Sequence, residues 1–266
     1  LLTDRVDAAF LEAAPNLKIV ANVAVGYNNI DVAACTERGV LVTNTPGVLT
    51  DATADLAMAL VLMSTRRLGE AERLIRSETP WQWGMFMMLG TGLQGRRLGI
   101  VGMGRIGQAV AHRGHYGFGM PVIYFNRSKK DAGLPARQVA TLLDLMAEAD
   151  IVVVTVPGGG PTTKLIDRAA IAAMKPTGIF VNISRGEVVD EEALIDALEA
   201  GAIAGAGLDV YEKEPHVPER LRALENCTLL PHLGSATEET RAMMCQMSVD
   251  AALAVFAGRE PENRVA

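Results

Sequence analysis

Three polar residues at the ends of apolar runs have the types needed to hold a small acid and move a proton on it. Arg185 lies in Val181-Asn182-Ile183-Ser184-Arg185-Gly186, between an apolar run and a glycine. Its planar guanidinium fork suits a carboxylate. Glu214 sits in Tyr211-Glu212-Lys213-Glu214-Pro215, and His232 follows Pro231 and precedes Leu233-Gly234-Ser235. A carboxylate beside an imidazole orients the ring and favours its charged form, so such a pair can give or take a proton. Each residue also has a plainer reading: an arginine capping a loop, a charged loop, a structural histidine. Asp209 ends another run of the same kind. In an open parallel sheet, ligands bind outside the carboxyl ends of the strands, and the position of all four residues favours a site.

The element that must carry such a sheet is Leu98-Gly99-Ile100-Val101-Gly102-Met103-Gly104-Arg105-Ile106-Gly107. A short apolar run enters G-x-G-x-x-G, and an alanine-rich helical pattern follows. Strand, glycine turn and helix in that order form the dinucleotide-binding fingerprint. Gly102 lets the strand turn, Gly104 leaves the backbone open to a pyrophosphate, and Gly107 lets helix and strand pack closely. The helix N-terminus offers free N–H groups to phosphate. Other strands are expected at Leu17–Val25, Val40–Asn44, Val122–Phe125, Asp150–Val156, Gly178–Ile183, Ala202–Val210 and Thr228–Leu230. Helices are expected at Ile30–Arg38, Asp51–Arg67 (with Thr50 or Asp51 as N-cap), Glu187–Ala200 and Glu238–Ala257. Pro157-Gly158-Gly159-Gly160-Pro161 reads as a flexible loop. The helix from Asp51 is a candidate crossing between two domains.

The second nucleotide strand ends in Tyr124-Phe125-Asn126-Arg127-Ser128-Lys129-Lys130, with no acid to hold a ribose 2′-hydroxyl. Arg127 and the lysines favour a 2′-phosphate, with Asn126 and Ser128 as hydrogen-bonding partners. The expected cofactor is therefore NADP(H), with NAD(H) possible; a solvated basic turn is the plainer reading. Trp81-Gln82-Trp83-Gly84-Met85-Phe86-Met87-Met88 reads first as core or subunit packing and second as the wall of an apolar pocket. His112 and His115 are spaced i, i+3 with no third ligand in view, so a structural role is expected and no metal.

The 266 residues fit one large domain or two ordinary ones, and 49% are hydrophobic, enough for a sizeable core. A net charge of −6 gives no electrostatic footprint for nucleic acid. No apolar run reaches the roughly 18 residues of a membrane span, and no signal peptide is read. Three scattered cysteines, Cys35, Cys227 and Cys245, suit a reducing cytoplasm. The start at Leu1, without Met, is read as lacking the true N-terminus.

Four motifs in order make the chain resemble the D-isomer-specific 2-hydroxyacid dehydrogenases from about Leu17 onward. They are Leu98–Gly107, Val181–Asp190, Gly205–Pro215 and Pro231–Thr237. Within that family, Val25–Asp31 and Asn44–Asp51 look most like glyoxylate/hydroxypyruvate reductases. The resemblance implies an α/β fold of two doubly wound parallel-sheet domains: a Rossmann cofactor domain (residues 50–235) and a smaller, flavodoxin-like substrate domain. The latter is discontinuous (residues 1–49 and 236–266) and looks N-terminally incomplete, because the family has a further βα stretch before Leu1.

The resemblance also implies Arg185, Glu214 and His232 as the catalytic trio. It assigns a substrate carboxylate to the backbone at Val25 and Gly26, beside Arg185 and His232, with Trp83 reaching a neighbouring subunit's site in a homodimer. Thr53, Asp209 and Gly234 are expected near the cofactor. The cofactor set is completed by Arg105 and Ile106 of the turn, by Pro157 and Thr162 of the glycine loop, and by Ile183. The expected activity is reduction of a small 2-oxo acid, glyoxylate or hydroxypyruvate, to the D-2-hydroxy acid. The alternatives are another dehydrogenase of the family, for D-lactate or phosphoglycerate, or a nucleotide-sensing binding protein like the corepressors of this fold.

Overall fold

A computed structural model of the chain describes Leu1 and residues 3–265. The chain divides into two compact units, Thr53–Gly234 and Leu1–Ala52 with Ser235–Ala266. The division falls inside the helix Thr50–Thr65.

In the smaller unit, β1 (Ile19–Ala21) and β2 (Leu41–Thr43) pair in parallel, Ile19 opposite Leu41. The helix Val32–Glu37 connects them, capped by Asp31, whose carboxylate accepts from Ala34 N at 2.9 Å. Gly39, at φ +70°, ends that turn. Val6, Leu11, Ile30, Cys35, Val40 and Val42 form its core. The C-terminal segment belongs to the same unit: Val265 N donates to Val42 O at 2.8 Å, beside the helix Glu238–Phe256.

The larger unit carries seven strands. They are β3 (Leu98–Val101), β4 (Val122–Phe125), β5 (Ala136–Gln138), β6 (Ile151–Val154), β7 (Ile179–Asn182), β8 (Gly205–Leu208) and β9 (Cys227–Leu229). Their order is β5-β4-β3-β6-β7-β8-β9, and every pairing is parallel. The order reverses between β3 and β6, which is the switch point where doubly wound sheets bind ligands. Central strands covered on both faces carry unbroken apolar runs. Along β6, Ile151 and Val153 join one core while Val152 and Val154 join the other, the period-two alternation of a strand.

Several expected boundaries are corrected. The strand read over Leu17–Val25 is only Ile19–Ala21, because Asn22 Nδ2 binds the carbonyls of Ala24 and Gly26 and bends the chain away. The helix read from Glu187 begins at Glu191, since Asp190 takes the Ala193 amide at 3.2 Å and caps it there. Thr50 and Asp51 lie within their helix rather than capping it. Helices Ala8–Ala13, Leu68–Arg76 and Leu142–Glu148 and strand β5 were not expected. The Trp81–Met88 stretch is not core of this chain: Trp83 and Phe86 are each 81% exposed.

Candidate active site

The loops leaving β7, β8 and β9 bring the predicted trio to one end of the sheet. After β7, Asn182 Oδ1 accepts from Ser184 N and Oγ at 3.0 and 2.9 Å, and Asn182 Nδ2 donates to Arg185 O at 3.0 Å. Those bonds close a tight turn that ends on Arg185. The next residue must be glycine, because a Cβ on Gly186 would overlap the Tyr211 carbonyl group. That close approach sets the loop after β7 against the loop after β8, which carries Glu214.

Glu214 is held from two sides. Its Oε1 accepts the Tyr211 amide at 3.1 Å, and its Oε2 lies 2.7 Å from His232 Nδ1. Burial pushes the Glu214 carboxyl upward, but the bond to His232 and the charges of His232 and Arg185 outweigh it and hold it below the usual carboxylate range. Burial lowers Arg185 from its ordinary value, partly offset by Glu214 and Glu187. Nδ1 of His232 is thus the ring nitrogen engaged by Glu214.

His232 adopts φ +56°, a left-handed conformation a non-glycine residue takes only when its surroundings impose it. Asp209, 1% exposed, imposes it. Its carbonyl accepts from His232 N at 2.9 Å, and its carboxylate accepts from Leu233 N at 2.6 Å and Gly234 N at 2.9 Å. Burial raises the Asp209 carboxyl, against the pull of these two amides. Thr53 completes the group: a Cβ on Gly234 would stand 3.4 Å from both Asp209 Oδ2 and Thr53 Cγ2.

Residues 58–234 match the family described as D-isomer specific 2-hydroxyacid dehydrogenase, NAD binding domain. The chain belongs to this family. It is an NAD(P)-dependent oxidoreductase. It is 48% identical to the glyoxylate reductase of Thermococcus litoralis, covering 100% of this chain and 82% of that protein. Among solved structures, a Thermus thermophilus protein superposes with TM-score 0.94 at 45% identity, covering 100% of this chain and 84% of the other. The NADPH-dependent glyoxylate/hydroxypyruvate reductase of Sinorhizobium meliloti, solved with NADP and malonate, superposes with TM-score 0.90 at 40% identity; 99% of this chain and 82% of that one are covered.

The turn after β3 fits such a cofactor. A Cβ on Gly104 would meet nothing within 4 Å, so that side of the turn is open to a bound group. A Cβ on Gly107 would overlap the Gly102 carbonyl, so only glycine lets the helix Arg105–His112 start this close to β3. No side chain caps that helix, and its first amides stay available to phosphate. Arg105 and Gly104 are exposed and Ile106 is half-buried.

The remaining expected cofactor residues surround the same end of the sheet. At the end of β4, Asn126 Nδ2 donates to Ser128 O at 2.8 Å and Gln138 Nε2 to Asn126 O at 2.9 Å, leaving Arg127 and Ser128 exposed. The loop read as flexible is cross-tied: Thr162 Oγ1 donates to Pro157 O at 2.7 Å and to Gly159 O at 2.9 Å, and Gly159 N donates to Glu187 Oε1 at 2.8 Å. Ile183 is buried at 6% exposure. Val25 and Gly26 lie in the smaller unit, where Asn44 Nδ2 holds Val25 O at 2.9 Å and Asn22 Nδ2 holds Gly26 O at 2.9 Å. His115 Nδ1 lies 3.1 Å from Met120 O, and the rings of His112 and His115 both pack on Tyr116. Among the described residues, no group of three or more His, Cys, Asp or Glu could hold a metal ion, and no helix is long and apolar enough to cross a membrane.

Sequence reasoning missed the supporting residues Asn182, Glu187 and Tyr211. Gly158 and Gly186 were the available signal, since a glycine inside a site loop can mark close backbone approach, and both prove to be crowded.

Proposed function

We propose that the chain reduces glyoxylate or hydroxypyruvate to the D-2-hydroxy acid with NADPH, using Arg185, Glu214 and His232. The 2.7 Å contact between His232 Nδ1 and Glu214 Oε2 carries the reading, because it leaves Nε2 as the atom that exchanges a proton with substrate. Arg185 binds the substrate carboxylate and polarises the carbonyl. A nicotinamide held at the glycine turn would supply the hydride. Protonated His232 neutralises the developing alkoxide, and Glu214 stabilises and aims the imidazolium. In the oxidative direction neutral His232 takes the proton. Val25 and Gly26 supply backbone amides for the carboxylate. The names of the Thermococcus and Sinorhizobium relatives support the substrate class.

The glycine turn, Thr53, Asp209, Gly234 and the Pro157–Thr162 loop hold the dinucleotide, and Arg127 selects the 2′-phosphate. Support for that choice is the exposed Arg127 at the end of β4, with no acid beside it. We assign residues 50–235 to the cofactor domain and residues 1–49 with 236–266 to a flavodoxin-like substrate domain. We also infer a cytoplasmic homodimer. All three cysteines are free, and Trp81, Trp83, Met85, Phe86 and Leu89 expose a contiguous apolar stretch of the kind subunit contacts cover.

The deciding experiment follows absorbance at 340 nm with glyoxylate, hydroxypyruvate and pyruvate, each with NADPH and with NADH. Fast NADPH oxidation with the first two is expected. Preference for NADH would overturn the role of Arg127. Tight cofactor binding without turnover on any acid would overturn the activity.

A further inference from the structure

We infer that Tyr211 is the positioning residue that aligns the trio, through contacts to each of the three loops that carry it. The inference rests on Glu214 and His232 acting as the proton-transfer pair. The Tyr211 side chain is 7% exposed, and its hydroxyl donates to Leu230 O at 2.9 Å. Leu230 lies two residues before His232, so that bond fastens the start of the histidine turn. The Tyr211 amide holds Glu214 Oε1 at 3.1 Å, which aims the other oxygen at the imidazole. The Tyr211 carbonyl group packs on the bare face of Gly186, next to Arg185. One residue therefore fixes the base of Glu214, the approach to His232 and the neighbour of Arg185.

The phenol is suited to a permanent anchor. Burial raises its ionisation well above the ordinary tyrosine value, so the hydroxyl stays a neutral donor wherever the enzyme is folded. A phenylalanine would keep the ring's packing and the backbone contacts. It would lose the hydroxyl's bonds, at 2.9 Å to Leu230 O and at 3.5 Å to Leu208 O, leaving the Leu230 carbonyl without its tyrosine donor.

Tyr211→Phe is the test, measured in the full chain beside Glu214→Gln and the double variant. Expected is a loss in kcat of about 3- to 10-fold, with KM for NADPH unchanged, the size set by one neutral hydrogen bond. The loss should fall on kcat and not on cofactor binding, because the turn that carries His232 loosens while the amide hold on Glu214 is kept. Against the Glu214→Gln background, Tyr211→Phe should change little further. A Tyr211→Phe enzyme with the parent kcat, or one whose KM for NADPH rises in step with the loss, would overturn the inference. So would losses that simply add in the double variant. Failure of the underlying reading is separate: it would show as near-normal turnover in His232→Ala, whatever Tyr211→Phe does.

Discussion

Asp209 and His232 are bound together through the backbone. The Asp209 carbonyl accepts the His232 amide at 2.9 Å, while its carboxylate takes the next two amides along the chain. This clamp holds His232 at φ +56°, a conformation costing on the order of 1 kcal/mol or more when nothing supports it. The imidazole meets Glu214 from that backbone.

Asp209→Asn should loosen the clamp. The amide can still accept one of the two N–H groups, but its NH2 faces the other. We expect a stability loss of about 1 to 3 kcal/mol by urea unfolding, with a fall in turnover. Unchanged stability would mean that the turn holds itself.

His232→Ala should cut turnover by about 10² to 10⁴ while NADPH fluorescence titration shows near-normal binding. Loss of cofactor binding in parallel would point to a collapsed turn instead of a missing acid.

The Glu214 carboxyl is held below its ordinary range in the folded protein, so the unfolded chain binds its proton first as pH falls. Its contribution to stability is full above the ordinary carboxylate pKa of about 4.3 and disappears as pH drops through the lower folded value. The stability gap between the parent and Glu214→Gln should therefore narrow as pH falls below the ordinary carboxylate value of about 4.3. Urea midpoints across that range measure it, and a constant gap would contradict the pairing.

Two glycines separate folding from binding. Gly104→Ala meets no atom within 4 Å, so stability should stay within about 0.5 kcal/mol while NADPH binds more weakly. Gly107→Ala collides with the Gly102 carbonyl and should cost about 1 to 3 kcal/mol by thermal or urea unfolding. Equal stability in both would refute the packing argument.

Arg127→Asp should lower kcat/KM with NADPH by about 10- to 100-fold and leave NADH less affected, the expected size for one charge-assisted contact to phosphate. Equal losses with both cofactors would show that Arg127 does not read the phosphate.

Much of this protein was legible in its residues alone. The glycine turn at Gly102–Gly107 and the apolar runs of β3, β4, β6 and β7 are local signals, because a short strand buried on both faces must be apolar throughout. Arg185, Glu214 and His232 stood out as polar groups just past such runs. Tertiary structure decided the rest. That Glu214 meets Nδ1, that Asp209 binds the amides of Leu233 and Gly234, and that Tyr211 reaches Leu230 depend on β8 lying beside β9. Parallel neighbours are joined by long crossovers, so no local pattern records which residues face each other across them. The same limit explains Trp81–Met88. Its apolar composition reads as core or subunit packing, and only the folded chain shows that its own core does not cover it, since burial depends on what the rest of the chain brings.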